Sequence, residues 1–244
     1  MQALATPLVS VVHPGGAYTF TRREAPGGRT AYGARRHTLA DVTDLRPGSV
    51  FETGHRWQLI PAKLYRYEDR HAYLRNRYPL VPHEAVGALA LPELDAVGVF
   101  DRHPELPESL HSGNHVAELV LYALRALAGA DRSVAVAYFI ESTCWFALAR
   151  AGEVVALDNF AVNAEVDAVF YAAALLEHYG VAREDCPLVA GGMIAPDGQL
   201  YRQLSIYFDL RDLGGELTQL PVAPAHELLL AYETSLRQQP LPGR

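Results

Sequence analysis

Hydrophobic and polar residues alternate along the first forty positions in a pattern that predicts three strands. Residues 8–12 form an apolar run, residues 17–23 alternate aromatic side chains with threonine, and residues 29–39 form a weaker third run. Short segments rich in proline and glycine separate these runs, as expected for tight turns. A further apolar run at residues 56–64 contains Pro61, which cannot donate a hydrogen bond to a neighbouring strand. This run therefore predicts a strand that ends at Pro61 or lies at a sheet edge.

The segment after this strand predicts an amphipathic helix over residues 68–78. Its predicted buried stripe has three- and four-residue spacing and consists of Tyr67, His71, Leu74 and Tyr78. A neighbouring stripe of arginines, which must face water or a partner, consists of Arg66, Arg70 and Arg77. Residues 94–100 predict another strand, and residues 115–127 predict a helix capped by Asn114. The first half is therefore predicted as three strands, then strand, helix, strand and helix.

The second half of the chain has the clearest pattern. Three strands with very short connections are predicted, at residues 132–140, 143–150 and 153–160. The Ala151-Gly152 link is typical of a two-residue hairpin turn. A long helix follows, capped by Asn163 and ended by Gly180. Its predicted core face comprises Val166, Val169, Phe170, Ala173 and Leu176.

Strands and helices continue to alternate towards the end of the chain. A short buried strand, a second amphipathic helix and a terminal helix are predicted at residues 187–190, 200–208 and 225–236. Both halves thus repeat one element order, which indicates a structural duplication. We expect one domain at residues 1–128 and a second at residues 129–244, with the terminal helix returning to the first.

Composition excludes several classes of protein. Of the 244 residues, 50% are hydrophobic and 20% are charged, which is typical of a folded globular protein and excludes intrinsic disorder. No apolar run reaches the roughly 18 residues of a membrane span, and the first residues lack the pattern of a secretory signal. Cys144 and Cys186 are too few for a disulfide framework or a zinc ribbon. We therefore expect a cytoplasmic protein with two packed thiols and no membrane association.

Charge is distributed unevenly along the chain. Residues 22–77 carry 12 basic and 6 acidic side chains, whereas the remainder carries 9 basic and 22 acidic ones. Solvated surface charge accounts for this pattern. The alternative is an electropositive face that meets an acidic partner, a nucleic acid or the acidic half of another copy. The charge distribution alone leaves these interpretations open.

The order of three meandering strands followed by alternating helices and strands is that of the ribonuclease H-like fold. Two copies of it make the actin-like ATPase architecture. Three motifs also resemble one family: LIPAKL at residues 59–64, GEVVALDNF at residues 152–160 and LVAGG at residues 188–192. The family is a domain-of-unknown-function family of Bacteroidetes-group bacteria, and the resemblance spans residues 50–210. It implies an α/β chain with an actin-like ATPase fold, two ribonuclease H-like halves with mixed sheets, and no established activity.

The resemblance also implies where a nucleotide would bind. Actin-like proteins hold phosphates with a carboxylate and glycines in the hairpin between the first two strands of each half. The matching positions here are Gly15 and Gly16 in the first hairpin, Glu141 and Thr143 in the second, and Gly191 and Gly192 on the adenosine side. The first hairpin lacks a carboxylate and the second lacks a glycine. We therefore expect no catalytic residue and no ATP hydrolysis, with ATP and Mg²⁺ as the cofactors that such a cleft would take.

Other chemical templates do not match the sequence. Lys63 lies in no glycine-rich loop, and the motifs GxSxG, HExxH and GxGxxG do not occur. His111 and His115 have the spacing of a helical metal pair, but the predicted helix begins between them, so we expect no metal ligands. The first strand of the second half has no carboxylate, which argues against a two-metal nuclease.

Three functions are consistent with these residues. The first is a non-catalytic module that binds a protein partner or another copy of itself through the flank of Arg66, Arg70 and Arg77. The second is a nucleotide-binding protein that uses the cleft between the halves. The third is a nucleic-acid adaptor in which the arginines act with nearby aromatic rings, namely Trp57, Tyr65 and Tyr73. Because the rest of the chain is strongly acidic, we favour the first function over the third.

Overall fold

The computed structural model describes residues 6–13, 16–25, 29–38, 50–54, 56–80, 84–104, 106, 108 and 114–218. The chain forms two compact units, Met1–Glu118 and Leu119–Arg244. The predicted domain limits, residues 1–128 and 129–244, place the boundary further along the chain and stay a prediction. The predicted terminal helix at residues 225–236 lies outside the described residues.

The first unit contains the predicted meander and a second, smaller sheet. Its elements are β1 (Thr6–His13), β2 (Gly16–Ala25), β3 (Arg29–His37), β4 (Val50–Glu52), β5 (Trp57–Pro61), α1 (Arg70–Arg77), β6 (Val86–Leu91) and β7 (Ala96–Asp101). The main sheet has the order β3-β2-β1-β4, in which the meander is antiparallel and β4 is parallel to β1. A parallel bridge joins Glu52 to His115, directly before α2 (Val116–Leu127). The carboxyl end of β4 therefore lies beside the start of α2.

The smaller sheet has the antiparallel order β5-β7-β6, and α1 packs on one of its faces. Ile60, Val86 and Val99 form a core cluster with Leu74 of α1. The opposite face carries Trp57 and Phe100, whose side chains are fully buried. Glycines leave room for these rings, because a Cβ atom at position 98 would lie 2.0 Å from the Trp57 ring. The sheet therefore depends on small residues on β6 and β7.

The first half departs from its predicted element order. The strands predicted at residues 56–64 and 94–100 belong to the smaller sheet as β5 and β7, not to the alternating strands of the main sheet. The fourth strand of the main sheet is β4, which has only three residues and is too short to show a period. The expectation for Pro61 is correct, since β5 ends at Pro61 and lies at a sheet edge.

The helix predicted at residues 68–78 is shorter and exposes one predicted core residue. A 3₁₀ turn covers Tyr67–Asp69, and α1 itself begins at Arg70. Leu74 is buried and His71 and Tyr78 are half-buried, but Tyr67 is 64% exposed. The prediction of a buried Tyr67 is therefore wrong, because a 3₁₀ turn does not continue the 3.6-residue period of the helix that follows it.

The second unit has the predicted element order as far as residue 207, but the strand and the helix at residues 210–217 were not predicted. Its elements are β8 (Val134–Ile140), β9 (Thr143–Arg150), β10 (Glu153–Ala161), α3 (Glu165–His178), β11 (Leu188–Gly192), α4 (Gln199–Tyr207), β12 (Leu210–Asp212) and α5 (Leu213–Leu217). The strands form one mixed sheet in the order β10-β9-β8-β11-β12. The first three are an antiparallel meander, and the last two extend it in parallel. This arrangement is that of a ribonuclease H-like half.

Local sequence signals fix the turns of this unit. Ala151 and Gly152 both have positive φ, 50° and 81°, as a two-residue hairpin turn requires. Gly180 has a φ of 65° and follows α3, as predicted.

Cys144 and Cys186 are buried thiols in the unit's core, and burial raises the pKa of the Cys186 thiol to about 11. In the part of the chain that the structure describes, no helix is long and apolar enough to cross a membrane.

The start and the buried face of α3 differ from the prediction. The helix begins after Ala164, and the Asp167 carboxylate accepts hydrogen bonds from the N–H groups of Asn163 and Ala164. Asn163 is therefore not the cap. The buried side chains of the helix are Ala168, Val169, Ala172 and Leu176. The predicted core residues Val166 and Phe170 are instead each 65% exposed.

Candidate functional site

An exposed segment joins β5 to α1 and is held in place by a tyrosine of the helix. The Tyr73 hydroxyl donates to the Leu64 carbonyl at 2.8 Å and accepts from the Arg66 N–H at 3.0 Å. The Tyr65 ring lies 5.9 Å from the Tyr73 ring, measured between centroids. Leu64 nevertheless stays 60% exposed. The segment is thus fixed on its inner side and presents apolar surface on its outer side.

Arg70 holds the exposed Tyr67 ring in the same region. Its guanidinium lies 4.2 Å from the centroid of the Tyr67 ring. It also donates to the carbonyls of Tyr67, at 3.1 Å, and Val86, at 3.3 Å. Tyrosine and arginine are enriched among the interface residues that contribute most to binding. We call the surface formed by Lys63, Leu64, Arg66, Tyr67 and Arg70 the basic patch.

The structure gives the three predicted partner-binding arginines different contacts. Arg77 lies at the opposite end of α1 from Arg70 and donates to the Trp57 carbonyl of β5 at 3.4 Å. Its guanidinium lies 5.3 Å from the Tyr78 ring centroid. Arg66 precedes the helix in extended backbone and is exposed. Arg66 and Arg70 therefore belong to the basic patch, whereas Arg77 braces the far end of the helix against the small sheet.

Charged side chains are buried at the carboxyl end of β4. Glu52 is 2% exposed and its carboxylate accepts a hydrogen bond from the Arg102 guanidinium. The Arg102 guanidinium also lies 5.6 Å from the Phe100 ring centroid. Burial raises the pKa of Glu52 to about 7, although Arg102 acts to lower it. The members of this pair are fifty positions apart and follow no motif, so the sequence alone does not predict it.

His115 lies beside this pair and starts α2. The ring atom Nδ1 accepts a hydrogen bond from the Ala117 N–H at 3.2 Å. The backbone N–H of His115 donates to the Glu118 carboxylate at 3.0 Å. His115 is thus the cap that was predicted at Asn114. The ring lies between Trp57 and Phe100, at centroid distances of 5.0 and 4.3 Å. Burial, together with the charge of Arg102, lowers its pKa to about 3, so the ring is neutral at physiological pH.

Four of the six predicted nucleotide-binding residues lie at one end of the second unit's sheet. Glu141 stands in the β8–β9 turn with a φ of 51°, and Thr143 is the buried first residue of β9. Gly191 and Gly192 end β11, paired with the last part of β8. The Glu141 N–H lies 3.2 Å from the sulfur of Met193, the residue that follows these glycines. In the first unit Gly16 is buried, and Gly15 lies outside the described residues.

Gly192 has a structural reason to be glycine. Its φ is 82°, and a Cβ atom there would lie 2.1 Å from the Phe139 carbonyl oxygen. The close approach lets the Met193 N–H donate to that same carbonyl at 2.7 Å. The positive φ and the close packing at the end of β11 therefore explain why position 192 is glycine, and no bound ligand is needed to explain it. Among the described residues, no group of three or more His, Cys, Asp or Glu side chains is arranged to hold a metal ion.

The helix α3 has an exposed apolar surface that the sequence did not predict, because its residues were expected to be buried in the core. Val166 and Phe170 lie one turn apart, and Glu177 lies two turns further along the same side. Tyr171 packs edge-on against Phe170, with a centroid distance of 5.5 Å. It also packs against Phe160 in a tilted arrangement, with a centroid distance of 4.6 Å. We call the surface of Val166, Phe170, Tyr171 and Glu177 the α3 surface. A groove of about 600 Å³ continues it, lined by residues that include Glu177, Arg183 and Glu184.

Solved structures with the same architecture are known. The chain is similar to a protein of unknown function with an actin-like ATPase fold from Bacteroides thetaiotaomicron, with 12% identity and a TM-score of 0.67 over 92% of this chain and 95% of that one. It is also similar to a chain of the PilM-PilN type IV pilus biogenesis complex, with 13% identity and a TM-score of 0.51 over 94% of this chain and 97% of that one. No curated protein matches its sequence significantly.

These similarities confirm the predicted fold class, an actin-like ATPase fold with mixed sheets. The family model for a protein of unknown function, DUF3822, matches residues 50–210. That match contains β4 to β7 with the basic patch, and it extends through α4 of the second unit. The chain therefore belongs to the DUF3822 family and has an actin-like ATPase fold.

Proposed function

We propose that the protein is a non-catalytic module that binds another protein through the basic patch. The observation that carries this proposal is the exposure of Leu64 and Tyr67 on a segment that Tyr73 and Arg70 hold in place. Exposed apolar side chains lose little entropy on binding when their backbone is already fixed. The basic patch therefore has the properties of a preformed binding surface.

The charge of the patch favours an acidic partner. Lys63, Arg66 and Arg70 surround Leu64 and Tyr67 in the sequence. An acidic surface with apolar side chains would bury Leu64 and Tyr67 and pair with these cations at the rim. Rim pairs contribute mainly to the rate of association, so binding should weaken at high salt.

One of the structural neighbours supports a role in protein assembly. That neighbour is part of a complex between two proteins of type IV pilus biogenesis. In this chain the hairpin at Glu141 has no glycine, and the one at Gly16 has no carboxylate. The phosphate-binding combination of the superfamily is thus incomplete in each half.

Nucleotide binding is the second candidate function. Its support is the proximity of the Glu141 turn to the glycine pair that ends β11. The structural requirement for glycine at position 192 weakens this support. We therefore rank nucleotide binding below protein binding.

Site-specific photo-crosslinking tests the proposed function. The photoreactive residue p-benzoylphenylalanine replaces Tyr67 in one variant and, as a matched control, the half-exposed Tyr207 of α4 in another. Irradiation in the native cell should give a discrete protein adduct from position 67 and none from position 207. Equal or absent adducts at the two positions would refute the proposed binding surface.

A further inference from the structure

The basic patch and the α3 surface have opposite charge. Residues 63–70, which contain the basic patch, carry three lysine or arginine side chains and two carboxylates. Residues 165–178, which form α3, carry three carboxylates and no lysine or arginine. Each surface also exposes large apolar side chains, Leu64 and Tyr67 on one and Val166, Phe170 and Tyr171 on the other. The surfaces therefore complement each other in both charge and apolarity.

We propose that the α3 surface of one copy binds the basic patch of a second copy, head to tail. This inference rests on the proposed function and names the partner as the chain itself. Contact between two basic patches, or between two α3 surfaces, would place like charges opposite each other, which opposes binding. The complementary pairing avoids this cost and buries Tyr67 against Phe170.

A head-to-tail contact has a defined consequence for assembly. Each single contact leaves one basic patch and one α3 surface free, so further copies can add until the assembly closes into a ring or continues as a chain. The average size of the assembly should rise with protein concentration. Its stability should fall with added salt, since exposed ion pairs are screened over about 8 Å at physiological ionic strength.

Complementing variants test this contact. One variant carries Arg66→Glu and Tyr67→Ser, which disables the basic patch. The other carries Phe170→Ser and Glu177→Arg, which disables the α3 surface. All four side chains are exposed, so circular dichroism should show folded proteins. A control variant, Ile206→Ser, removes a 68% exposed side chain of α4 outside both surfaces.

Sedimentation velocity should separate the outcomes. Wild type and the Ile206→Ser control should associate with rising concentration, and each double variant alone should associate at least about tenfold more weakly, as expected when central contacts are removed. An equimolar mixture of the two double variants should form a one-to-one dimer, because each supplies the surface that the other lacks. If a double variant unfolds, the single variants Arg66→Glu and Glu177→Arg replace it in the same mixture.

Three results would overturn the proposal: a wild type that stays monomeric at every concentration, double variants that associate as strongly as wild type, or a mixture that forms no dimer. A monomeric wild type that still gives an adduct with a different protein at position 67 would refute the self-association and leave the proposed function standing. A monomeric wild type without any adduct would refute both.

Discussion

Replacing Glu52 by glutamine should change how the stability of the first unit depends on pH. Glu52 and His115 have pKa values shifted in opposite directions by the same buried environment. The pKa of Glu52 rises from 4.5 to about 7, which corresponds to roughly 3 kcal/mol. The pKa of His115 falls from 6.5 to about 3, which corresponds to roughly 5 kcal/mol.

The two shifts have opposite effects on stability. Between pH 4.5 and 7 the folded state holds a proton on Glu52 that the unfolded state has released, so this group destabilises the fold as pH rises. Between pH 3 and 6.5 the unfolded state holds a proton on His115 that the folded state lacks, so this group destabilises the fold as pH falls. From pH 4.5 to 6.5 the folded and the unfolded state each hold one proton on the pair of Glu52 and His115, on Glu52 in the folded state and on His115 in the unfolded state. Its two contributions to the pH dependence therefore cancel.

The Glu52→Gln variant removes one of the two contributions. Stability of the variant should then fall by roughly 3 kcal/mol more than that of wild type between pH 6.5 and 4.5, because His115 acts alone over these two pH units. Asp101, Arg102, His103 and Glu118 also face the pair. They are present in both proteins, so the comparison removes their contribution.

Urea unfolding followed by tryptophan fluorescence measures this difference. The chain has two tryptophans, and Trp57 lies against His115 in the first unit. A Trp145→Phe background leaves Trp57 as the only reporter, and its own effect cancels when both proteins carry it. Glu68→Gln, at an exposed position, is the control and should keep the wild-type profile. If the free energy of unfolding depended on pH in the same way in wild type and in Glu52→Gln, the proposed cancellation between Glu52 and His115 would be refuted.

Three further predictions follow from other parts of the molecule. Gly192→Ala should lower the free energy of unfolding by at least about 2 kcal/mol in urea titrations, because the added Cβ atom clashes with a carbonyl of β8. Gly180→Ala, which has open space around it, should lower the free energy of unfolding by only about 1 kcal/mol. Purified protein should show no ATP hydrolysis with Mg²⁺ in a phosphate-release assay, and turnover that disappears in Glu141→Gln would contradict this. Cys144 and Cys186 should react with a thiol reagent only after unfolding, since both are buried and burial raises both pKa values.

The second unit shows how much local sequence can determine. The strands of the meander, the Ala151-Gly152 turn and the end of α3 before Gly180 all agree with the prediction. Hydrophobic alternation and left-handed turn residues act over a few positions, so they can be recognised without knowledge of the fold. The resemblance of three short motifs then indicated the family and the actin-like fold.

Burial of helix faces could not be predicted in the same way. Val166 and Phe170 are spaced like core residues, yet the sheet covers the side of α3 that carries Ala168 and Ala172. Periodicity identifies a helix, but the neighbouring elements decide which side is covered. The exposure of Tyr67 depends similarly on a 3₁₀ turn that interrupts the helical period.

The sequence by itself therefore determined the element order of the second unit as far as α4, the Ala151-Gly152 turn and the family. Only the tertiary structure decided that β5, β6 and β7 form a separate sheet, and that Glu52 meets Arg102 beside His115. It also decided which apolar side chains remain exposed. The physical reason is distance along the chain. Turns and strand periods depend on adjacent residues, whereas burial, ion pairs and pKa shifts depend on residues that only folding brings together.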